Sequence, residues 1–211
     1  MARADIFEDL LESFHGLDDS KKLTEKKREE LFLAIEASQY RSECQFAFAY
    51  RDAWDIDTIW IREANRLSMQ DVLLSLLQYT DTTDSVEIYI DWSDDYIFDI
   101  GYDSIWYSLA RSKREKKYNV KMDDTEQIKI YYKIRWDSEY RQIAAASIVA
   151  KVIRDRMMCD FHEDFPEYGF DTHKGYGTAK HQEAMLHYGI SPIHRKSYAP
   201  VKSLILNSSS V

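Results

Sequence analysis

Two short β-branched runs, Val86–Ile90 (VEIYI) and Ile128–Ile134 (IKIYYKI), stand in a chain whose other apolar residues recur mostly at helical spacing. That mixture is the tightest constraint on the fold, because strands this short are stable only when paired in a sheet and covered by other elements. The spacing predicts a helix from Asp5 to Phe14, closed by Gly16, and a second from Thr24 to Glu36 with Leu31, Phe32 and Ile35 on one face. It predicts a third helix over Ile61–Leu77 and the strongest over Ile143–Met158, where Ala144, Ile148, Val149, Val152, Ile153 and Met157 form one stripe and Lys151, Arg154 and Arg156 another. Gln45–Tyr50 (QFAFAY) reads as a strand, and residues 92–126 hold a further strand, YIFDI, and a basic helix around Ser104–Lys117. Six glycines and three prolines are too few for an all-β chain of tight turns, so the expectation is an α/β fold. From Pro166 onward the pattern is one of turns and short helices rich in Gly, His, Tyr and Pro.

At 211 residues and 25.0 kDa the chain suits one domain, or one domain with a small appendage. Its two cysteines, Cys44 and Cys159, make no disulfide framework and have no zinc-site spacing, which points to a reducing cytoplasm. No apolar run approaches the ~18 residues of a membrane span, and the opening MARADIFEDLLESF has no signal-peptide core, so no membrane partner is expected. A net charge of -9 argues against binding nucleic acid by bulk charge. Local charge says otherwise: Lys21–Arg28 carries +4, Arg111–Lys117 another +4, and Asp171–Lys202 carries +3 together with four histidines. Three such patches in an acidic chain point to an anionic partner for at least one of them.

The chemistry on offer is that of carboxylates. Asp91 follows VEIYI, and Asp137 follows the second run, at the strand ends where α/β folds place functional groups. Carboxylates converging there, without cysteine or histidine at ligand spacing, suit hard cations such as Mg²⁺ or Mn²⁺. The sequence contains no glycine-rich phosphate loop, Walker motif or nucleophile elbow.

Three blocks go further: GLDDSKKLTEKKREELF at Gly16–Phe32, IAAASIVAKVIRDRMM at Ile143–Met158, and the segment from Pro166 to Lys202 with PEYGFDTHKGYGTAKH and GISPIHRKSYAPVK. Together with the weaker IREANRLSMQ at Ile61–Gln70, they resemble ribonuclease HII, the bacterial type 2 ribonuclease H, over roughly half the chain and in the family's order. The resemblance implies an RNase H-like mixed sheet flanked by helices over 1–158, with an insertion at 92–126, and a helical substrate-binding region over 159–211 packed on it. It implies Mn²⁺ or Mg²⁺ held by four carboxylates that cut the RNA strand of RNA·DNA hybrids, or of DNA duplexes containing ribonucleotides, in a monomeric enzyme. Asp137 stands six residues before Ile143, where the family has its fourth carboxylate, and Asp91 matches the third, although Trp92 and Ser93 follow in place of Gly-Asn and Asp99 competes for the role. Tyr176 matches the tyrosine that packs on the sugar at an RNA–DNA junction. Ser20, Lys21, Lys22, His173, Lys174 and Lys180 match phosphate contacts, which position a duplex without reading its sequence.

One family feature is missing from these residues. The Gly-Ile-Asp-Glu-Ala-Gly-Arg-Gly segment, which supplies the first two carboxylates and a central strand, has no counterpart among the 18 residues before Asp19. The expectation is therefore a sheet incomplete at the N-terminus, a fragment of an ordinary ribonuclease HII being favoured. The alternatives are a catalytically impaired hybrid-binding paralogue, or replacement carboxylates at Asp94, Asp95 or Asp99.

Overall fold

The structure is a computed structural model that describes residues 4–79, 86–91, 117–119, 128–133 and 140–208. Asp137, Asp94, Asp95, Asp99, the YIFDI run and the basic stretch before Lys117 lie outside these residues. In chain order the elements are α1 (Ala4–Ser13), α2 (Glu25–Tyr40), α3 (Ala53–Leu77), β1 (Val86–Asp91), β2 (Lys117–Asn119), β3 (Ile128–Lys133), α4 (Arg141–Asp164), α5 (Phe170–His173), α6 (Ala179–Tyr188) and α7 (Ala199–Ser208). Packing divides the chain into two compact units, Met1–Phe48 with Gln70–Lys151, and Ala49–Met69 with Val152–Val211.

The first unit holds the sheet, ordered β1-β3-β2. β1 runs parallel to β3, with Val86 opposite Ile128 and Asp91 opposite Lys133, while β2 pairs antiparallel to β3. The sheet is thus mixed, as expected, and Asp91 ends a strand at its carboxyl edge. Lys117, expected at the end of a helix, instead begins β2, where its backbone pairs with Tyr131.

Helix α2 begins where Thr24 caps it: the Thr24 Oγ1 accepts the Lys27 N–H at 3.2 Å, and Leu31, Phe32 and Ile35 are buried along one face. The first part of α4 buries Ile143, Ala144, Ala145, Ile148 and Val149, with Ile148 fully enclosed. Ile143, Ile148 and Val149 each contribute roughly 1.5–3 kcal/mol by leaving water. The Arg141 guanidinium donates to the Leu11 carbonyl at 2.6 Å and so ties α4 to α1.

Two expectations need correction. Gln45–Tyr50 joins no ladder: the Phe46 N–H is taken by the Gln39 side chain at 3.0 Å, and the Phe46 ring packs edge-on against Phe32 at 6.0 Å. Helical structure also begins before Ile61, at Ala53, and is interrupted at Trp60, where φ is 69° and ψ is 149°. A tryptophan at positive φ is strained backbone that no sequence pattern announces.

In the second unit Tyr168, Phe170, Ala184, Met185 and Val201 form a buried cluster, flanked by Met158, Phe161, Phe165, Ile190 and Ile193. A single turn at Pro166–Tyr168 leads into α5 through Gly169, whose φ of 70° lets the chain reverse.

Candidate nucleic-acid interface

In the first unit, the segment after α1 gathers cations around two aspartates. The Asp19 carboxylate accepts the Lys21 N–H at 2.9 Å, and Asp18 accepts the Asp19 N–H at 2.7 Å and the Lys22 Nζ at 3.1 Å. The Asp19 hydrogen bond, then that of Lys22, holds the Asp18 carboxyl below the usual carboxylate range. Lys21 and Lys22 are exposed, whereas Ser20 is buried, its hydroxyl 2.8 Å from that of Ser147. Arg28 reaches back to the carbonyls of Ser20 and Leu23 at 3.1 and 2.5 Å, fixing the turn ahead of α2.

Asp91 is half-buried at the end of β1. As a hard oxygen donor at a strand terminus it fits Mg²⁺ or Mn²⁺. Among the described residues no three His, Cys, Asp or Glu side chains stand together as a metal site.

The second unit builds its site on the loop from His173 to Thr178. Lys174 and Gly175 both adopt left-handed backbone, with φ of 49° and 76°. At Gly175 a Cβ would stand 3.0 Å from the Met158 Cε, so glycine suits both the dihedral and the space. Three histidines then fasten this loop, and their hydrogen-bond directions follow from their partners. The Gly175 N–H fills His173 Nδ1 at 3.2 Å, so His173 Nε2–H donates to the Tyr168 carbonyl at 2.7 Å. The Tyr176 carbonyl can only accept, so His181 Nδ1–H donates to it at 3.0 Å. At the far end the Ser191 N–H fills His194 Nδ1 at 3.0 Å, which leaves His194 Nε2–H to donate to His181 Nε2 at 2.9 Å. Burial pushes the His194 imidazole down to about 4, with His181 beside it adding to the shift, and burial also lowers His181. Both rings are therefore neutral near pH 7, as the directions require.

The histidines ring the enclosed Phe170, at centroid distances of 5.8, 5.4 and 5.7 Å for His173, His181 and His194, and His173 stacks on His181 at 4.4 Å. Tyr176 itself is 57% exposed. The Arg154 guanidinium stands 5.1 Å over its ring and donates to the Lys174 carbonyl at 2.8 Å. The loop thus presents an aromatic ring on a backbone held by buried donors. The Lys174 Nζ donates to the Asp171 carbonyl at 2.5 Å and lies 3.0 Å from the Cys159 Sγ, while Lys180 is exposed in the first turn of α6, after Thr178 caps that helix.

A second basic loop is fastened by an aspartate that the sequence does not single out. Asp57 accepts the Lys196 N–H at 2.7 Å, the Ser197 N–H at 2.8 Å and the Ser197 hydroxyl at 2.6 Å. Burial alone would raise its carboxyl, but the Ser197 and Lys196 hydrogen bonds win and lower it. Arg154, too, is visible in the sequence only as part of a polar stripe, with nothing to pair it with Tyr176.

These elements define an RNase H-like α/β protein: the fold matches the crystal structure of the ribonuclease H2 from Pyrococcus horikoshii OT3 with a TM-score of 0.62, over 100% of this chain and 89% of that one, at 19% identity. The family model for ribonuclease HII matches residues 5–201, and the chain belongs to that family. It is 37% identical to the ribonuclease HII of Bacillus licheniformis over 89% of this chain and 59% of that protein. It is 39% identical to that of Alkaliphilus metalliredigens over 87% and 74%, respectively. The chain thus spans less than two thirds of the Bacillus relative. No helix among the described residues is long and apolar enough to cross a membrane.

Proposed function

We propose that the protein acts on RNA·DNA hybrids, and on DNA duplexes holding single ribonucleotides, as a divalent-metal-dependent endoribonuclease. The observation that carries this reading is the Tyr176 loop: an exposed aromatic ring on a backbone fixed by His181 and Arg154 is a ready platform for a sugar. A 2′-hydroxyl is what distinguishes RNA from DNA beside such a ring. Lys21, Lys22, Lys174 and Lys180 hold the phosphates, and the buried Ser20 and His173 serve the same contacts by shaping the segments that carry them. Residues 159–211 form the substrate-binding region and 1–158 the catalytic domain. Asp91 and Asp137 would hold Mg²⁺ or Mn²⁺, and the chemistry such an ion would supply there is activation of water and stabilisation of the leaving oxygen. The protein works as a monomer in the cytoplasm.

The test is cleavage of a labelled duplex with one ribonucleotide, with Mn²⁺ or Mg²⁺ and with EDTA as control. Metal-dependent scission beside the ribonucleotide, lost in Asp91→Asn and in Asp137→Asn, is the expected result. Undiminished cutting by either variant removes that aspartate from the site. Binding without scission would instead establish hybrid binding without catalysis.

A further inference from the structure

The carbonyl of Tyr176 is held twice. The Thr178 N–H reaches it at 2.8 Å within the loop, and His181 Nδ1–H reaches it at 3.0 Å from α6. The second contact is the last link of a directed chain, from Ser191 through His194 Nε2–H to His181 Nε2. Because His194 supplies the proton between the two Nε2 atoms, His181 is left with its own proton on Nδ1, facing Tyr176. A single reversal anywhere in the chain would set two donors or two acceptors against each other in a buried place, which is costly. The chain therefore specifies one pose of the Tyr176 backbone, and the left-handed residues before it, Lys174 and Gly175, leave the loop little freedom to find another.

We propose that His181 is a positioning residue for ribonucleotide recognition: oriented by His194 and Ser191, it fixes the Tyr176 carbonyl and thereby the pose in which the Tyr176 ring meets a sugar. This rests on the junction role of Tyr176. Neither histidine touches the substrate, so their loss acts through Tyr176 alone.

Two measurements test it. Nitrogen-15 NMR of the histidine-labelled wild-type protein at neutral pH, assigned with single variants, reads the protonated nitrogen directly. The expected pattern is Nδ1–H on His181 and Nε2–H on His194; Nε2–H on His181 overturns the directed chain. The second measurement is the affinity ratio between a duplex holding one ribonucleotide and the same duplex in all-DNA form. It is compared across wild type, His181→Asn, His181→Gln and His181→Leu, each with Tyr176 intact and with Tyr176→Ala. An asparagine amide nitrogen stands where Nδ1 stood and keeps the donor; glutamine places its amide nearer Nε2, and leucine has no donor. The ratio should fall about five-fold in His181→Leu and His181→Gln but stay within about two-fold of wild type in His181→Asn, the scale of one net hydrogen bond. With Tyr176→Ala none of the three should change it further. Equal losses in Asn and Gln, or a loss that persists without Tyr176, overturn the proposal. Equal wild-type affinity for the two duplexes overturns the junction reading as well, whereas a wild-type preference that His181→Leu and His181→Gln retain in full overturns the positioning role alone.

Discussion

The segment around Lys21 and Lys22 and the loop around Tyr176 both suit the backbone of a nucleic acid, yet they are built on opposite physics. At the first, exposed charges hold exposed charges: Lys22 and Asp18 meet at 3.1 Å with their side chains 56% and 48% exposed. Such pairs are screened by salt and rearrange at little cost, so this segment can adapt to a phosphate wherever it lies. At the second, neutral donors are buried beneath an exposed ring, with Phe170 at the centre and three histidines around it. Salt does not reach those bonds, and their geometry cannot drift without leaving a buried group unpaired. On the proposed reading a loose cationic surface would capture any duplex and a stiff aromatic support would select one sugar. That reading assigns affinity and selectivity to separate parts of the chain.

Emptying the centre of the stiff region should produce the largest effect. Phe170 is 1% exposed, and Phe170→Ala should cost about 3–5 kcal/mol in stability, read by urea denaturation. Acid should act on the same region through His181 and His194. Their folded pKa values are depressed, so the unfolded chain binds protons that the folded chain refuses. The stability they support is complete above the unfolded value of 6.5 and is lost as pH falls toward about 4, at up to about 1.4 kcal/mol per pH unit for each proton. A pH series of denaturation midpoints checks this, and a flat profile over that window would contradict the neutral chain. Gly175→Ala is next: alanine at φ of 76° costs about 1–2 kcal/mol, while Met158 Cε, the end of a flexible side chain, can yield to the new methyl. Smallest is Lys22→Ala, which should leave the thermal midpoint unchanged but lower the salt dependence of duplex affinity by about one phosphate contact.

The adaptable region is also the more legible one. Thr24 as a cap, the face of Leu31, Phe32 and Ile35, and the strands β1 and β3 follow from local spacing, since capping and periodicity are short-range rules. The stiff region is legible only in outline. HKGYGT announces a loop through its glycines, but Lys174 at positive φ carries no signal, and His181 and His194, 13 residues apart, share no periodicity. Their partnership depends on how α6 packs over Phe170, a tertiary fact. Gln45–Tyr50 fails for a related reason: its β-like composition is real, but the Gln39 side chain takes the Phe46 N–H that a ladder would need.

One titration bears most directly on this division of labour. Fluorescence anisotropy would follow the wild-type protein on a duplex with one ribonucleotide and on its all-DNA counterpart, across a series of salt concentrations. Both affinities should fall steeply with salt, by a slope of about 0.9 for each phosphate contact, while their ratio stays constant and favours the ribonucleotide. A ratio that collapses together with the affinity, or that shows no preference at any salt concentration, would contradict it.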